Sequence, residues 1–284
     1  MDLSLPNDFA ALERVVTHAA KLHEKEGSRV VGYRRFFPLG DYVVKFNDHA
    51  RLLPEYLTLK YLFELAAKDG DAAPRVPEVH HFYQQGRFAY MVMECIELAE
   101  VPPQDLAAKA AEAVLWMLGK GAPSTVVLGP LGSAYARHVV FKERVAPRKF
   151  TSVEALERFL NTGVANIRLR SRIKDICISG EELVLTQSDI NPGNFGVDTN
   201  GRPVIFDAAT IGWLPESFAN YTLLLTNEFA TAVSKHVFAP ENAEALKRSA
   251  NLVSMSRVRA LLIQVYRDDL GVDDDGYRLP RTRS

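Results

Sequence analysis

The first hundred residues alternate between strand-like and helix-like patterns. Residues 29 to 47 hold two runs of β-branched and aromatic residues around Pro38-Leu39-Gly40-Asp41, which predicts a β-hairpin with a turn at these four residues. Apolar residues then recur at helical spacing from Leu52 to Lys68. Two further strand-like runs follow, RVPEVHHFYQQG and RFAYMVMECIEL. The order predicted over residues 29 to 98 is therefore β, β, α, β, β.

The pattern changes after Leu98. VPPQDL interrupts the strands, and the segment from Leu106 to Lys120 is strongly helical. We therefore expect two domains, one of residues 1 to 98 and one of residues 99 to 284. Residues 121 to 150 are rich in Gly and Pro and predict a long irregular connection, a kind of loop that is often functional.

The second domain is expected to be mainly helical. A helix is predicted after residue 150, with Thr151 and Glu154 as a capping box. Two helical segments are predicted within residues 221 to 270. The last residues, DDLGVDDDGYRLPRTRS, are acidic and then basic, which is typical of a solvated tail.

One segment of the second domain combines strands with polar turns: LVLTQSDINPGNFGVDTNGRPVIFDAATIGWLPESF, which begins at Leu183. It predicts a strand, a loop containing Asp189 and Asn194, and a two-stranded hairpin with its turn at Asn200-Gly201. The hairpin brings Asp207 back toward the loop. A carboxylate that accepts a hydroxyl proton, together with an amide oxygen and a second carboxylate that hold Mg²⁺, is the set that phosphoryl transfer requires.

These polar residues are also ordinary turn residues, so a second feature is needed to support the chemistry. Lys45 ends the apolar strand YVVKF, and Glu55 follows ten residues later at the start of the predicted helix. Each alone fits the exposed end of an amphipathic element. Because a strand lysine paired with a helix glutamate can hold nucleotide phosphates, their occurrence together with the Asp189 segment favours a nucleotide site.

Composition excludes several other classes of function. The 284 residues carry a net charge of -1, so there is no general basic field for nucleic acid, and no apolar run reaches the length of a membrane span. The N-terminal residues do not resemble a secretory signal. Cys95 and Cys177 lie in apolar sequence and are expected to be buried, reduced thiols of a cytoplasmic protein.

Several motifs carry a family resemblance. MVMECIEL resembles the last small-lobe strand and hinge of protein-kinase-like enzymes, and Lys45, Glu55, Asp189, Asn194 and Asp207 occur in the order of their site residues. TQSDINPGNFGVD and VIFDAATIGWLPESF resemble more narrowly the aminoglycoside phosphotransferase family, in particular its short fungal members. The resemblance covers the whole chain. It implies an α+β, two-lobed fold with a five-stranded antiparallel small lobe, a hinge, a mainly helical large lobe, and ATP bound between the lobes.

The resemblance also implies roles for the polar residues. Asp189 would be the catalytic base, Asn194 and Asp207 would bind Mg²⁺, and Lys45, held by Glu55, would contact the phosphates.

Three hinge residues complete the implied nucleotide site. Met93 would lie at the back of the adenine pocket, with the Glu94 carbonyl and the Ile96 amide at the adenine edge.

The sequence departs from the family pattern at the catalytic loop. Gln187 and Ser188 stand where the family usually has His and Gly, Ala208 follows Asp207, and no GxGxxG precedes Lys45. Two hypotheses follow. The first is an ATP- and Mg²⁺-dependent kinase of a small-molecule hydroxyl acceptor, with no nucleic-acid or membrane partner. The alternative is an inactive pseudokinase that serves as a nucleotide-binding or interaction module.

The sequence names neither the acceptor nor the oligomeric state. Four acidic residues on the late helices are available to a cationic acceptor, although such residues are usually solvated: Glu216, Glu228, Asp268 and Asp269.

Overall fold

The computed structural model describes residues 8–168 and 173–280. Within these ranges the helices are α1 (Phe9–Gly27), α2 (His49–Asp69), α3 (Pro103–Leu118), α4 (Val153–Asn166), α5 (Glu216–Leu225), α6 (Glu228–Val237), α7 (Pro240–Lys247) and α8 (Ala250–Gln264). The strands are β1 (Phe36–Leu39), β2 (Tyr42–Asp48), β3 (Val79–Gln85), β4 (Phe88–Glu94), β5 (Leu183–Gln187), β6 (Phe195–Val197), β7 (Pro203–Ile205) and β8 (Ile211–Pro215).

The first lobe is built on an antiparallel sheet with the strand order β1-β2-β4-β3. The predicted order β, β, α, β, β is confirmed, and the hairpin turn lies at Gly40-Asp41. Lys45 pairs with Phe36 on one side and with Met91 on the other, so it lies on an inner strand of the sheet. An inner strand fixes the position of its side chains better than an edge strand does.

The expected fifth strand is wrong for the described part of the chain, and the sequence analysis missed helix α1. This helix begins at the N-cap Asp8, whose carboxylate accepts from the Ala10 amide, and it buries Leu12, Val16 and Ala20 against one face of the sheet. Its apolar residues recur every four positions, as on one helix face. Helix α2 covers the opposite sheet face through residues that include Leu59.

The second lobe is mainly helical and contains two small antiparallel sheets, β5-β8 and β6-β7. Helix α3 is rich in alanine, and its small side chains let it pack closely against α6, β5, β6 and β7. The predicted hairpin around Asn200-Gly201 is confirmed as β6-β7. Strand β8 was not predicted, although its Trp213 is one of the largest fully buried side chains.

The C-terminal region differs from the prediction in three ways. The two predicted helical segments are four helices, because Asn227 and Ser249 act as N-caps of α6 and α8. Ser152, rather than Thr151, caps α4. The expected solvated tail instead packs on the second lobe as far as Gly276, with Val272 buried and Asp269 bound to Arg148 at 2.8 Å, and residues 277–280 are exposed.

Residues 121 to 150 form the predicted irregular connection, and it is firmly attached. Gly129 exchanges two backbone hydrogen bonds with Trp213 of β8, at 2.9 and 3.1 Å. At Gly212 a Cβ atom would lie 2.1 Å from the Gly129 backbone, so the two chains approach each other too closely for a side chain. Further along, Lys142 Nζ donates to the Val265 carbonyl at 3.0 Å. The connection is therefore held on several sides.

His138 anchors the same connection to helix α5. Its Nδ1 accepts from the Val140 amide at 3.1 Å, so the neutral ring carries its proton on Nε2, which donates to the Phe218 carbonyl at 3.1 Å with Thr222 Oγ1 at 2.8 Å. Burial lowers the pKa of His138 to about 3, against the opposing effect of the Phe218 carbonyl. The structure therefore holds His138 as a neutral side chain.

Two further observations bear on the sequence expectations. Cys95 and Cys177 are exposed, so the expectation that both are buried is wrong. In the described part of the chain, no helix is both long enough and apolar enough to cross a membrane.

We predict that His138 makes the folded state sensitive to acid. Its pKa is lower in the folded chain than the ordinary value of 6.5, so its contribution is fully present above pH 6.5 and is lost as the pH falls toward 3. Between pH 6.5 and 4.5 this one group should remove roughly 2 kcal/mol from the free energy of unfolding. Urea unfolding of the wild type and of His138→Gln should differ in pH dependence by that amount.

The matched control is His236→Gln, because His236 is an exposed histidine on helix α6. This variant should keep the wild-type pH dependence. An unchanged pH dependence in His138→Gln would contradict the assignment of the acid sensitivity to His138.

Candidate functional site

A cleft of about 590 Å³ lies between the two lobes. At one end it is lined by the segment that follows β4, and at the other end by Lys45 and the loop after β5. All the residues predicted for the site line this cleft except Glu55, which is buried behind Lys45. The lining members of the predicted set are Lys45, Met93, Glu94, Ile96, Asp189, Asn194 and Asp207.

Lys45 connects the two lobes at the inner end of the cleft. Its Nζ lies 2.5 Å from Glu55 Oε1 and 3.2 Å from Asp207 Oδ2. Burial lowers the pKa of Lys45, but the carboxylates of Glu55 and Asp207 outweigh this effect and raise the pKa to about 12. Burial raises the pKa of Glu55, and the Lys45 ammonium opposes that increase. Lys45 is thus a fully charged ammonium group between two carboxyl groups.

Asp189 and Asn194 belong to one short loop whose geometry is fixed from within. Asn194 Nδ2 donates to the Asp189 carbonyl at 2.7 Å, which directs the amide group of Asn194 into the loop. Asn191 Oδ1 accepts from the Gly193 amide at 3.0 Å and closes the turn between them. The Phe206 amide donates to the Asn194 carbonyl at 3.0 Å, so the loop is also tied to the end of β7, next to Asp207.

Gln187 stands where the aminoglycoside phosphotransferases that the sequence resembles usually have histidine. It is buried, and its Nε2 donates to the Asp207 carbonyl at 2.9 Å. Its Oε1 accepts from the Asp189 amide at 3.1 Å and from the Thr210 hydroxyl at 2.6 Å. A single amide side chain therefore joins the backbones of Asp189 and Asp207, using both its donor and its acceptor.

The departures at Ser188 and Ala208 do not disturb this geometry. Ser188 is buried, and its amide donates to the Thr210 carbonyl at 3.2 Å, while its hydroxyl has no partner among the described residues. Ala208 is fully buried. Asp207 is held without help from a bulky neighbour, because its Oδ1 accepts from the Ala209 amide at 2.9 Å.

Sequence analysis did not predict that Arg144 would reach the loop. Its Nη1 lies 2.9 Å from Asp189 Oδ2, and its side chain is about half exposed. Arg144 and the preceding Glu143 both have positive φ, 59° and 53°, which non-glycine residues adopt only at a cost. Hydrogen bonds from the Arg144 amide to the Phe141 carbonyl and from the His138 amide to the Arg144 carbonyl hold this conformation. The irregular connection therefore presents a guanidinium group to Asp189.

The hinge end of the cleft is tied to both lobes. Met93 is 7% exposed and forms part of the cleft wall. The Glu94 carboxylate pairs with Arg75, which also lies 3.6 Å from Asp198 of the second lobe. This bridge was not predicted from the sequence. In the described part of the chain the Ile96 amide donates to no protein group, so it is available to a ligand in the cleft.

The cleft contains oxygen atoms of the kind that would suit a hard cation. Asn194 uses its Nδ2 within the loop, which leaves its Oδ1 without a donor among the described residues, and Asp207 lines the same cleft. Among the described residues, no group of three or more His, Cys, Asp and Glu side chains could hold a metal ion. Mg²⁺ needs no such group, because it is usually held by one or two carboxylates together with substrate phosphates.

Comparison with solved structures finds chains to which this chain is similar. A thermostable mutant of the aminoglycoside phosphotransferase APH(4)-Ia, in a ternary complex with AMP-PNP and hygromycin B, matches with a TM-score of 0.50 and 12% sequence identity over 86% of this chain and 89% of that chain. The gentamicin complex of APH(2")-IIa matches with a TM-score of 0.45 and 16% identity over 92% and 98% of the two chains. The macrolide 2'-phosphotransferase MphH from Brachybacterium faecium, an apoenzyme, matches with a TM-score of 0.44 and 14% identity over 86% and 90%.

No family model and no curated protein matches the sequence. The similarity to the first of these structures, together with the helices and sheets of this chain, shows the fold. The chain has the α+β, two-lobed, protein-kinase-like fold that is found in aminoglycoside phosphotransferases.

Proposed function

We propose that this chain is a phosphotransferase that moves the terminal phosphoryl group of ATP to a hydroxyl group of a small molecule. The observation that supports the proposal most strongly is the meeting of Lys45, Asp189, Asn194 and Asp207 in one cleft. These residues come from the two lobes, and they provide a cation for phosphate, a carboxylate for a hydroxyl proton and oxygen ligands for a metal. Phosphoryl transfer depends on this kind of positioning and charge complementarity more than on covalent chemistry.

In this proposal the two ends of the cleft have separate tasks. The adenine base lies at the hinge, against Met93 and near the Glu94 carbonyl and the free Ile96 amide. The phosphates extend toward Lys45, whose ammonium group Glu55 keeps in place. We place the boundary between the nucleotide-binding lobe, residues 1–98, and the catalytic lobe, residues 99–284, just beyond the hinge.

Asn194 and Asp207 are the proposed ligands of Mg²⁺. When bound, the ion would neutralise charge on the phosphates. The protein's own contribution is to keep both ligands at fixed positions, through the Asn194 bond to the Asp189 carbonyl and the Ala209 bond to Asp207.

Asp189 is the proposed catalytic base. Its carboxylate is 29% exposed, so an acceptor hydroxyl can reach it from the cleft, and Gln187 and Asn194 orient its backbone. The acceptor hydroxyl would donate its proton to Asp189 as its oxygen bonds to the transferred phosphorus, and ADP would leave.

The charges beside Asp189 bear on the acceptor. Arg144 lies against the carboxylate, so an acceptor with a positive charge next to its hydroxyl would meet a like charge there. Asp269, which sequence analysis considered for a cationic acceptor, is already paired with Arg148 and Arg267. These observations favour a neutral or anionic alcohol.

The alternative is a pseudokinase that binds nucleotide without turnover. The observation that favours it is again Arg144, because a guanidinium on the proposed base competes with an incoming hydroxyl. The connected network of Gln187 favours the active enzyme, because it keeps Asp189 and Asp207 in a defined arrangement without the usual histidine. The two proposals differ in turnover and agree on nucleotide binding.

The first prediction from the proposed function concerns the metal. ATP at about a hundred times its dissociation constant adds roughly 2.7 kcal/mol to stability and should raise the melting temperature by several degrees. We expect the shift to require Mg²⁺ and to disappear in Asp207→Asn, because this variant replaces a negatively charged carboxylate with a neutral amide, which is a weaker ligand for the cation. Asp189→Asn is the control and should keep the shift. If neither ATP nor Mg-ATP shifts the wild-type protein, nucleotide binding is excluded.

The second prediction concerns the base. Asp189→Asn should lower ADP formation with a reactive alcohol by about 10² to 10⁴, since the base acts in the transition state. Its affinity for Mg-ATP, measured by titration calorimetry, should remain that of the wild type. A variant with full turnover would contradict the role of Asp189. A wild-type protein that binds Mg-ATP but forms no ADP with any alcohol tested would favour the pseudokinase.

The third prediction concerns Gln187. Gln187→Leu removes three hydrogen bonds and leaves buried partners unpaired, so it should lower stability by about 1–3 kcal/mol and abolish turnover. Gln187→His can still donate a hydrogen bond, so it should retain part of the stability and part of the turnover. Urea unfolding and ADP formation are the measurements, with the exposed Gln85→Leu as the control. Wild-type turnover in Gln187→Leu would show that the network is dispensable.

A further inference from the structure

Residues 28–35 stand where a protein kinase would have its glycine-rich phosphate loop. This sequence has no such loop. In the sheet, Phe36 pairs with Lys45, so the residues just before Phe36 lie at the Lys45 end of the cleft. Arg34, Arg35 and Phe36 all line the cleft there. The segment contains Gly32, but no GxGxxG that could wrap backbone amides around a phosphate. If a nucleotide is bound, some other group must contact its phosphates from this side.

The backbone at Arg34 is held on both sides. Its carbonyl accepts from His23 Nε2 of helix α1 at 2.9 Å. The next carbonyl, of Arg35, accepts from the Phe46 amide at 2.9 Å, which continues the pairing of β1 and β2 by one residue. The Arg35 guanidinium is bound to Glu24 at 2.6 Å. Helix α1, through His23 and Glu24, thus fixes the chain where the Arg34 side chain emerges.

The Arg34 guanidinium has no acidic partner in the described ranges, in contrast to Arg35. It lies across the cleft against the loop of the second lobe, where its Nη1 would be 3.6 Å from a Cβ atom placed on Gly193. Gly193 stands between Asn191 and Asn194, in the same loop as Asp189. Arg34 is therefore an uncompensated cation that crosses from the first lobe to the catalytic loop, at the end of the cleft that contains Lys45.

We propose that Arg34 is a phosphate-binding residue that contacts the β- or γ-phosphate of a nucleoside triphosphate and replaces the backbone amides of a glycine-rich loop. The inference rests on the proposed nucleotide site. A guanidinium group suits this role, because its planar fork donates two parallel hydrogen bonds to phosphate oxygens. The contact would be specific for the terminal phosphates, since the base lies at the other end of the cleft.

Titration calorimetry with Mg-ATP and with AMP tests the proposal in the wild type, Arg34→Ala, Arg34→Lys and Arg29→Ala. We expect Arg34→Ala to weaken Mg-ATP binding by about tenfold or more, which is the effect of losing a charged hydrogen bond, and to leave AMP binding unchanged. Arg34→Lys should lie between this variant and the wild type. Arg29→Ala removes the same charge from the same exposed segment, outside the cleft lining, and should bind Mg-ATP as the wild type does.

Three outcomes would overturn the proposal: unchanged Mg-ATP affinity in Arg34→Ala, an equal loss of AMP affinity, or an equal loss in Arg29→Ala. An equal loss in Arg29→Ala would mean that the positive charge of the segment supports Mg-ATP binding without a direct contact to the phosphates. A wild-type protein that does not bind Mg-ATP would overturn the proposed function together with this inference. Wild-type binding with no effect of Arg34→Ala would overturn only the assignment of Arg34. Because the guanidinium has no hydrogen-bond or ion-pair partner among residues 8–168 and 173–280, melting without ligand should be unchanged, and Arg34→Lys provides a second variant if it is not.

Discussion

The site depends on the ion pairs of Lys45 with Glu55 and Asp207. Glu55 comes from helix α2, Lys45 from an inner strand and Asp207 from the second lobe. The Lys45 ammonium, 2.5 Å from Glu55 and 3.2 Å from Asp207, therefore links the helix, the sheet and the second lobe at one point. A buried ion pair is weak evidence for stability, since the cost of removing two charges from water offsets much of their attraction. Its consequence here is positional. The pair places a charged ammonium group in the cleft and leaves it partly exposed to a ligand.

The second constraint is the hydrogen-bond network of Gln187, which joins the loop of Asp189 to Asp207. A histidine at this position could supply the same donor, but only the amide of glutamine also offers an oxygen to the Asp189 amide and the Thr210 hydroxyl. Thr210 takes part twice, because its backbone carbonyl also accepts from the Ser188 amide. Gln187, Ser188 and Thr210 thus hold the loop of Asp189 against the segment that follows Asp207.

How far the sequence predicted the structure depended on how local each signal was. The strands around Lys45 and the β6-β7 hairpin follow from alternating patterns and turn residues, and the approach of Asp207 to Asp189 follows from the hairpin. Helix α1 also has a readable pattern, in Leu12, Val16 and Ala20, whereas the resemblance implied a fifth strand in this lobe. The contact between Arg144 and Asp189 spans 45 residues and depends on two residues with positive φ, for which no sequence signal exists. Long-range contacts of this kind are set by tertiary packing.

The cleft as a whole has a charge pattern that is incomplete without a ligand. Each carboxylate that lines it has a cation within ion-pair distance: Arg75 for Glu94, Arg144 for Asp189, and Lys45 for Asp207. The cations that line it are Arg34, Arg35 and Lys45. Arg35 pairs with Glu24 and Lys45 with Glu55 and Asp207, so Arg34 is the lining cation without an acidic partner in the described ranges. Because the chain has an overall charge of -1 and no general basic field, the positive charge offered here is local and suits a polyanion of limited length. A nucleoside triphosphate with its base at the hinge and its terminal phosphate between Lys45 and Arg34 meets this requirement, because the negative charge then lies where the unpaired cation is.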